Sequence, residues 1–221
     1  MNYMIKAIIF DMDGLLIDSE PIWQEVEIKT FNEVGVPLTR EKSKETMGLR
    51  VDEVIEYWFS SYPWKEPTKK EIERKIVEGV IALVKEKGIA RPEAEKIVKL
   101  FADQNFPIAI ASSSQMEIIK AVLERVSIRK YIKIIHSAEH ELYGKPNPAV
   151  YIATAKKMGV LPEDCLAFED SPNGVLAAKA AKIKCVAVPD QTMKDNKIFS
   201  IADMVVDSLE EFSLDYLAKF N

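Results

Sequence analysis

Short apolar runs recur along the chain, and each ends at polar residues or a turn. This pattern is typical of strands that are buried on both faces of a parallel sheet. The first run, Ala7–Phe10, reads "AIIF". Similar runs predict strands at 107–111, 133–137, 165–170 and 185–189, and a shorter run predicts a sixth at 204–206.

The segments between these runs carry apolar residues at helical spacing. In residues 18–35, Pro21 fits the first helical position, the acceptors of residues 18–20 fit the helix start, and Gly35 fits its end. In residues 69–88, one helix face collects four β-branched side chains, namely Ile72, Ile76, Val80 and Val84. Further helices are predicted within residues 51–62, 147–159 and 171–182.

One more helix follows the second predicted strand, within residues 112–126. Ser114 and Glu117 have the spacing of a capping box, in which each side chain accepts from a backbone amide of the first helical turn. We therefore expect this helix to begin at Ser114.

The alternation of strands and helices predicts an α/β fold with a doubly wound, Rossmann-like parallel sheet and right-handed crossovers. The stretch between the first and second strands carries only helical signals and is too long for a simple crossover. We interpret it as an inserted α-helical cap domain. The predicted division is a core of residues 1–19 plus 90–221 and a cap of residues 20–89.

Composition narrows the class of protein. The 221 residues are 48% hydrophobic and 29% charged, with a net charge of −5 and both signs mixed along the chain. No basic block suits nucleic acid, and no polybasic or long apolar segment suits a membrane. The N-terminus enters the first strand directly, so we expect no signal peptide. Cys165 and Cys185, the two cysteines, are interpreted as small buried residues in adjacent strands, which favours a reducing, cytoplasmic location.

Polar residues with catalytic potential follow four of the predicted strands. The carboxyl ends of parallel strands meet at one edge of the sheet, where ligands of such folds bind. Two carboxylates one residue apart repel each other and call for a cation or a catalytic use, and Mg²⁺ prefers oxygen ligands. The residues are Asp11 and Asp13 after the first strand, Ser112 after the second, Lys145 after the third, and Glu169 and Asp170 after the fourth.

Each of these residues has an ordinary alternative when taken alone. A serine or aspartate at the end of a strand usually caps the next helix, and a lysine in a loop is usually solvated. Their joint occurrence at four strand ends favours a chemical function.

The motifs "DMDGLLIDSE", "KPNP" and "EDSPNG", together with the strand-end Ser112, resemble the four signatures of the haloacid dehalogenase-like superfamily of phosphohydrolases. The resemblance covers nearly the whole chain. The insert resembles the helical cap of the β-phosphoglucomutase-like branch. The stretches "MGLRVDEVIEYWF" and "YPWKEPT" are most similar to the bacterial 2-deoxyglucose-6-phosphate, or hexitol phosphate, phosphatases. The resemblance implies a Mg²⁺-dependent phosphatase that hydrolyses small sugar or polyol phosphate monoesters through an aspartyl-phosphate.

The resemblance also implies how the two aspartates of the first motif divide the work. Asp11 corresponds to the nucleophile and to a metal ligand. Asp13 corresponds to the acid that protonates the leaving alkoxide and later takes a proton from water. It binds the metal through its backbone carbonyl, which leaves its side chain free for proton transfer.

The other motif residues are implied to bind phosphate and metal. Ser112 and the amides of Ser113 and Ser114 hold phosphoryl oxygens at a helix N-terminus, and Lys145 neutralises the nucleophile and the transferring group. Asp170 is the third metal ligand, and Glu169 ligates directly or through water. Gly14 and Glu20 are expected on the substrate side of the first motif. Arg50, in "MGLR", either reaches the substrate from the cap or forms a surface salt bridge.

Other functions stay open beside the phosphatase. Phosphomutases of this branch carry a histidine shortly after the first motif, whereas this chain has Glu20 and no histidine in "IDSEPIW". A dehalogenase would not need Asp13, and a phosphonate hydrolase would need a cap lysine that nothing here singles out. A non-catalytic phosphate-binding regulator is disfavoured by the intact motifs. We expect a monomer that acts on a small phosphorylated metabolite, with neither nucleic acid nor membrane as a partner, and we assign no function to His136 or His140.

Overall fold

The computed structural model describes residues 5–190 and 192–220. Its strands are β1 (Ala7–Phe10), β2 (Ile108–Ser112), β3 (Ile134–Ser137), β4 (Cys165–Glu169), β5 (Lys184–Ala187) and β6 (Met204–Val205). All neighbouring pairs are parallel, in the order β3-β2-β1-β4-β5-β6. Each predicted strand is present, with its ends shifted by a residue or two. The predicted doubly wound α/β fold is therefore confirmed.

Helices surround the sheet and fill the segment between its first two strands. They are α1 (Glu20–Glu33), α2 (Arg40–Ser43), α3 (Val51–Ser61), α4 (Lys69–Lys87), α5 (Ala94–Asp103), α6 (Met116–Arg125), α7 (Ala149–Met158) and α8 (Pro172–Ala180). Successive residues of β1 point into different cores. Ile8 and Phe10 join the core that contains α5 and α6, whereas Ala7 and Ile9 join the core of α7 and α8. The sheet is thus covered on both faces.

The helices α1 to α4 follow one another in the segment predicted to form the cap. The apolar face of α4 is buried as the helical spacing predicts, and α4 packs against α1, α3 and α6. The division into a core of residues 1–19 plus 90–221 and a cap of residues 20–89 stays a prediction, and its residues 1–4 and 221 lie outside the described residues.

Two antiparallel linkers connect this segment to the sheet. The amide of Asp18 donates to the carbonyl of Ile89 (2.9 Å), and the amide of Arg91 donates to the carbonyl of Leu16 (3.0 Å). The Arg91 guanidinium also donates to the carbonyl of Gly14 (3.0 Å). Both linkers therefore meet beside the loop that carries the first motif.

One predicted helix cap is wrong, and a serine at the start of another helix is used in the same way. The helix α6 begins one residue later than expected, at an N-cap of Gln115, and no capping box forms between Ser114 and Glu117. Ser19 occupies the N-cap position of α1, but its side chain accepts nothing from that helix. The hydroxyls of Ser114 and Ser19 instead donate to the carboxylate of Asp13 (2.7 Å each). A hydrogen bond to a charged acceptor is stronger than a neutral cap.

Cys165 and Cys185 are unpaired and fully buried in the neighbouring strands β4 and β5, as predicted. Within the described part of the chain, none of the helices is both long enough and apolar enough to span a membrane.

Candidate active site

The sheet brings the polar strand ends together. Because β1 lies between β2 and β4, the strand register continues to place Asp11 beside Ala111, the residue before Ser112, on one side and beside Glu169 on the other. The amide of Asp11 donates to the carbonyl of Phe168 (3.0 Å), so strand pairing continues up to the first catalytic candidate. Asp170 follows β4 directly.

Lys145 reaches this cluster from the loop between β3 and α7. Its buried ammonium donates to Oδ1 of Asp11 (2.5 Å), to Oε1 of Glu169 (2.7 Å) and to the carbonyl of Ala111 (2.9 Å). Burial alone would lower the pKa of Lys145, but the charges of Asp11 and Glu169 outweigh burial and raise the pKa above its usual value. The lysine is therefore a fixed cation.

The carboxylates around this cation lie close together and are buried. Burial raises the pKa of Asp11 to about 7, with Lys145 opposing the rise and the charges of Glu169 and Asp13 adding to it. Burial, followed by the charges of Asp11 and Glu169, raises the pKa of Asp170 well above its usual range. One lysine does not neutralise this group of acids, which leaves room for a further positive charge.

The carboxyl oxygens are arranged as metal ligands require. Asp11, Glu169 and Asp170 can each offer one oxygen, and the three oxygens lie within 4.8 Å of one another. Such an all-oxygen set suits a hard divalent cation. Gly14 has a positive φ of 76°, and a Cβ at this position would stand only 2.0 Å from Oδ2 of Asp170. The glycine thus lets the backbone of the first motif approach the carboxylate that faces it.

Glu169 has other partners in addition to Lys145. The hydroxyl of Tyr151, on α7, donates to its Oε1 (2.5 Å). A Cβ on Gly174 would lie 1.9 Å from its Oε2, so the start of α8 packs tightly against the carboxylate. Sequence reasoning did not select Tyr151, because an aromatic residue at helical spacing is ordinarily a core residue.

The side chain of Asp13 does not bond to Lys145 and accepts hydrogen bonds from three other side chains. Oδ1 accepts from the hydroxyl of Ser19 (2.7 Å) and from the indole N–H of Trp23 (3.1 Å), and Oδ2 accepts from the hydroxyl of Ser114 (2.7 Å). Ser19 and Trp23 were not selected as site residues from the sequence. The sequence signal was present, since both follow the first motif at the entry to α1.

The three serines after β2 have different partners. Oγ of Ser112 accepts from the amide of Ser114 (3.0 Å), which leaves its O–H proton available to another acceptor. The hydroxyl of Ser113 donates to the carbonyl of Gly48 (3.0 Å), in the segment predicted to form the cap. The predicted phosphate contact through the Ser114 amide would therefore compete with an existing hydrogen bond.

The segment from α2 to α3 covers the strand ends. The carbonyl of Met47 accepts from the side-chain amide of Asn173 (3.3 Å), beside the contact between Gly48 and Ser113. On the next helix, Oε1 of Glu53 accepts from the amide of Gly144 (2.8 Å), adjacent to Lys145. The covering helices are thereby fixed to the loops that carry the catalytic candidates.

Arg50 also fixes the covering helices to the loops of the core, and it does not line the pocket between them that contains Asp11 and Asp13. Its guanidinium donates to the carbonyls of Ala138 (2.9 Å) and Glu141 (2.8 Å) and pairs with Asp52 (2.6 Å). Arg50 thus forms a salt bridge in the structure, as one of the two predicted alternatives has it, and its substrate contact stays a prediction.

A pocket opens between the strand ends and the covering helices. Its floor is formed by the motif residues, including Asp11, Asp13, Lys145 and Asp170. Its roof mixes polar and apolar side chains: Glu20, Trp23, Glu27, Ser43, Thr46, Leu49, Val51 and Val54. Burial raises the pKa of Glu20, which accepts from the side-chain amide of Gln24, and burial raises the pKa of Glu27 to about 8. Sequence reasoning predicted Glu20 and missed Glu27.

A family model described as haloacid dehalogenase-like hydrolase matches residues 8–188 of the chain. The chain is 37% identical over 210 residues to hexitol phosphatase B of Escherichia coli (strain K12), which covers 95% of each sequence. It is 28% identical over 196 residues to the phosphorylated carbohydrates phosphatase of Thermotoga maritima, which covers 87% of this chain and 89% of the relative.

Solved structures of similar architecture include CbbY from Rhodobacter sphaeroides in complex with phosphate. It superposes with a TM-score of 0.87 at 27% identity, covering 97% of this chain and 99% of that chain. A variant of CbbY in complex with xylulose-(1,5)bisphosphate also gives a TM-score of 0.87, at 26% identity over 96% and 99% of the two chains. The similarity extends over the sheet and the helices that cover its edge.

Proposed function

Since this chain belongs to the haloacid dehalogenase-like hydrolases, we propose that it is a Mg²⁺-dependent phosphatase of small sugar or polyol phosphate monoesters. The reaction passes through an aspartyl-phosphate on Asp11. Two relatives, hexitol phosphatase B and the phosphorylated carbohydrates phosphatase, are named for this class of substrate.

One observation carries the proposal. The ammonium of Lys145 bonds to both Asp11 and Glu169, and a carboxyl oxygen of Asp170 lies within 4.8 Å of an oxygen of each of these two acids, close enough for one cation to bind all three. A structural salt bridge would need one acid for one base. Three buried acids around one lysine fit a site that holds a second cation and an anionic substrate.

Asp11, Asp170 and Glu169, with the backbone carbonyl of Asp13, are the groups proposed to hold Mg²⁺, Glu169 either directly or through water. When bound, the ion neutralises phosphoryl oxygens so that an anionic carboxylate can approach the phosphorus.

In the first half-reaction, a carboxylate oxygen of Asp11 attacks the phosphorus and the ester P–O bond breaks. The Asp13 carboxyl gives its proton to the leaving oxygen, which departs as an alcohol. In the second half-reaction, the Asp13 carboxylate takes a proton from water, which attacks the aspartyl-phosphate and releases inorganic phosphate. Ser19, Trp23 and Ser114 hold the Asp13 side chain for both transfers.

The transferring phosphoryl group lies among Lys145 and the serines after β2. Because Oγ of Ser112 already accepts from an amide, its own proton is free to donate to a phosphoryl oxygen. The amides of Ser113, Ser114 and Gly14 complete the proposed anion site. Those of Ser114 and Gly14 would exchange their present acceptors, Oγ of Ser112 and the carbonyl of Ile17, for phosphoryl oxygens.

The test is a screen of phosphorylated sugars, polyols and nucleotides with Mg²⁺, in which inorganic phosphate is measured. We expect release from sugar and polyol monophosphates by the wild type and none by Asp11→Asn. Asp18→Asn is a matched control, because Asp18 lies in the same loop, is half-exposed and contacts Arg91 (3.4 Å) instead of the cluster. Isomerised sugar phosphate without phosphate release would favour the mutase alternative, and no reaction with any substrate would contradict the proposal.

A further inference from the structure

The pocket has a strong asymmetry of charge. Of the described residues that line it, Lys145 is the only cation, and its ammonium already bonds to two carboxylates on the floor. The titratable groups on the roof are both acids, Glu20 and Glu27. A second phosphate or a carboxylate on a substrate would find no positive partner on the roof.

Glu27 is the unusual member of this roof. Its side chain is buried, with 8% of the residue exposed, yet it has no hydrogen-bond or ion-pair partner among the described residues. Its oxygens still keep some accessible surface, because the only fully enclosed unpartnered side-chain atom in the described residues is Nε1 of Trp58. Buried carboxyl groups in folded proteins nearly always have partners, so an unpaired one that lines a pocket points to a ligand.

The position of Glu27 relates it to the reaction. Trp23 donates to the Asp13 carboxylate, which marks the place of the ester oxygen in the proposed mechanism. Glu27 lies one helical turn further along α1, about 6 Å along the axis. A leaving group that extends from the ester oxygen along α1 would reach Glu27.

We propose that Glu27 determines specificity by hydrogen bonding to hydroxyl groups of a neutral polyhydroxylated leaving group, so that the enzyme selects monophosphates and rejects bisphosphates. The inference rests on the proposed function, since it concerns the leaving group of that reaction. It separates this chain from CbbY, whose variant was solved with a bisphosphate.

The protonation state of Glu27 suits this function. Burial, with a smaller contribution from the charge of Glu20, raises the pKa of Glu27 to about 8. The roof elements other than α1 line the pocket with neutral side chains, including Ser43 and Thr46, so the charged neighbour that raises this pKa is Glu20, on the same helix. At neutral pH the carboxylic acid offers one donor and one acceptor, which matches a pair of hydroxyl groups. Above pH 8 it becomes an anion that only accepts.

The test compares kcat/KM for a hexitol monophosphate, a ketose bisphosphate and phenyl phosphate, whose leaving group has no hydroxyl to contact Glu27. The variants are Glu27→Gln, which stays neutral and polar, and Glu27→Met, which removes both hydrogen bonds at similar volume. Glu25→Gln is the matched control, because Glu25 lies on the same helix, is half-exposed and pairs with Lys87.

We expect the wild type to favour the monophosphate over the bisphosphate by at least about tenfold, since an unpaired buried phosphate is strongly disfavoured. Glu27→Met should lower the ratio of hexitol phosphate to phenyl phosphate kcat/KM by about tenfold or more, mainly through KM. The wild-type ratio should fall above pH 8, and Glu27→Gln should remove that fall. Glu25→Gln should keep both the ratio and its pH profile.

A ratio that stays within about threefold in Glu27→Met, or a bisphosphate that is hydrolysed as well as the monophosphate, would overturn the inference. If Glu27→Met does not fold, two other measurements test the inference. They are the pH profile of the kcat/KM ratio in Glu27→Gln and the wild-type comparison of monophosphate with bisphosphate. Failure of the wild type to hydrolyse phenyl phosphate with Mg²⁺ would instead contradict the proposed function. In that case, calorimetric binding of hexitol phosphate to wild type and Glu27→Gln tests the pocket separately.

Discussion

The indole N–H of Trp23 donates to Oδ1 of Asp13 across 3.1 Å. The hydroxyl of Ser19 reaches the same oxygen, and the hydroxyl of Ser114 reaches the other. One carboxylate is thus held both by the linker into α1 and by the loop after β2. A group that must deliver a proton to one oxygen of a bound ester benefits from such fixed orientation.

Trp23→Phe should lower kcat with a hexitol phosphate by about tenfold, because an aromatic ring is kept while one of three donors to Asp13 is lost. Mg²⁺ affinity should not change, since the proposed ligands are untouched. Trp58→Phe is the matched control: the Trp58 indole is buried but its Nε1 has no partner, so the same substitution removes no hydrogen bond. Equal losses in the two variants would mean that packing, not the orientation of Asp13, sets the rate.

Asp11→Asn should abolish turnover, because an amide does not take up the phosphoryl group. The fold should persist, since the change removes a buried charge from a crowded cluster in which burial, with a smaller contribution from Glu169 and Asp13, raises the pKa of Asp11 to about 7. Steady-state kinetics and a thermal melt in chelator measure the two effects. Residual activity above about a hundredth of the wild-type rate would contradict the assignment, since loss of even one positioned donor costs about 10²–10³.

Activity should depend on Mg²⁺, disappear in chelator and return when Mg²⁺ is restored. Ca²⁺ should inhibit, because it prefers longer bonds and more ligands than Mg²⁺ does. To satisfy it, the three carboxylates and the backbone carbonyl would have to move, and Asp11 would leave its in-line position. Phosphate release against the concentration of each metal measures both effects. Full activity in excess chelator would exclude the proposed metal.

The strands and most helices could be predicted because their signal is local. The run at Ala7–Phe10 and the buried face of α4 depend only on the spacing of apolar residues. General rules of βα connection place the carboxyl ends of the parallel strands at one edge of the sheet, so the convergence of Asp11, Ser112 and Glu169 could also be inferred.

The positions that the sequence left open, missed or misassigned share a dependence on distant partners. Whether Ser114 caps α6 or donates to Asp13 depends on a contact 101 residues away in sequence. Arg50 bonds to carbonyls of Ala138 and Glu141, which no local pattern reveals. Glu27 was not selected from the sequence, because its burial depends on how α1 is covered by the helices that follow it.

Glu27→Gln should stabilise the metal-free protein at high pH. The folded state raises the pKa of Glu27 to about 8 from a usual value of 4.5, so the wild type loses stability as pH rises through this interval. The variant has no such loss, so its advantage should grow from near zero at pH 4.5 to a few kcal/mol at pH 9, at about 1.4 kcal/mol per pKa unit. Urea unfolding at several pH values measures the difference. Glu25→Gln should show no such growth, and a pH-independent effect of Glu27→Gln would mean that the carboxyl is ionised or solvated in the fold.

Asp13→Asn should damage catalysis while sparing Mg²⁺ and phosphate binding. The substitution keeps the backbone carbonyl that is proposed to bind the metal, and the amide keeps an oxygen that can accept from Ser19 and Trp23. Only proton transfer is lost, and general acid–base help is worth about 10²–10⁴ in rate.

This loss should depend on the leaving group, because a phenolate departs without much protonation whereas a sugar alkoxide does not. The measurement is the rate of the first half-reaction against leaving-group pKa for wild type and Asp13→Asn, with Mg²⁺ affinity determined for both. A steeper dependence in the variant, at unchanged Mg²⁺ affinity, is the expected result. If the variant lost Mg²⁺ binding, or slowed all leaving groups equally, the side chain of Asp13 would be holding the site together, and the three donors around it would serve structure instead of proton transfer.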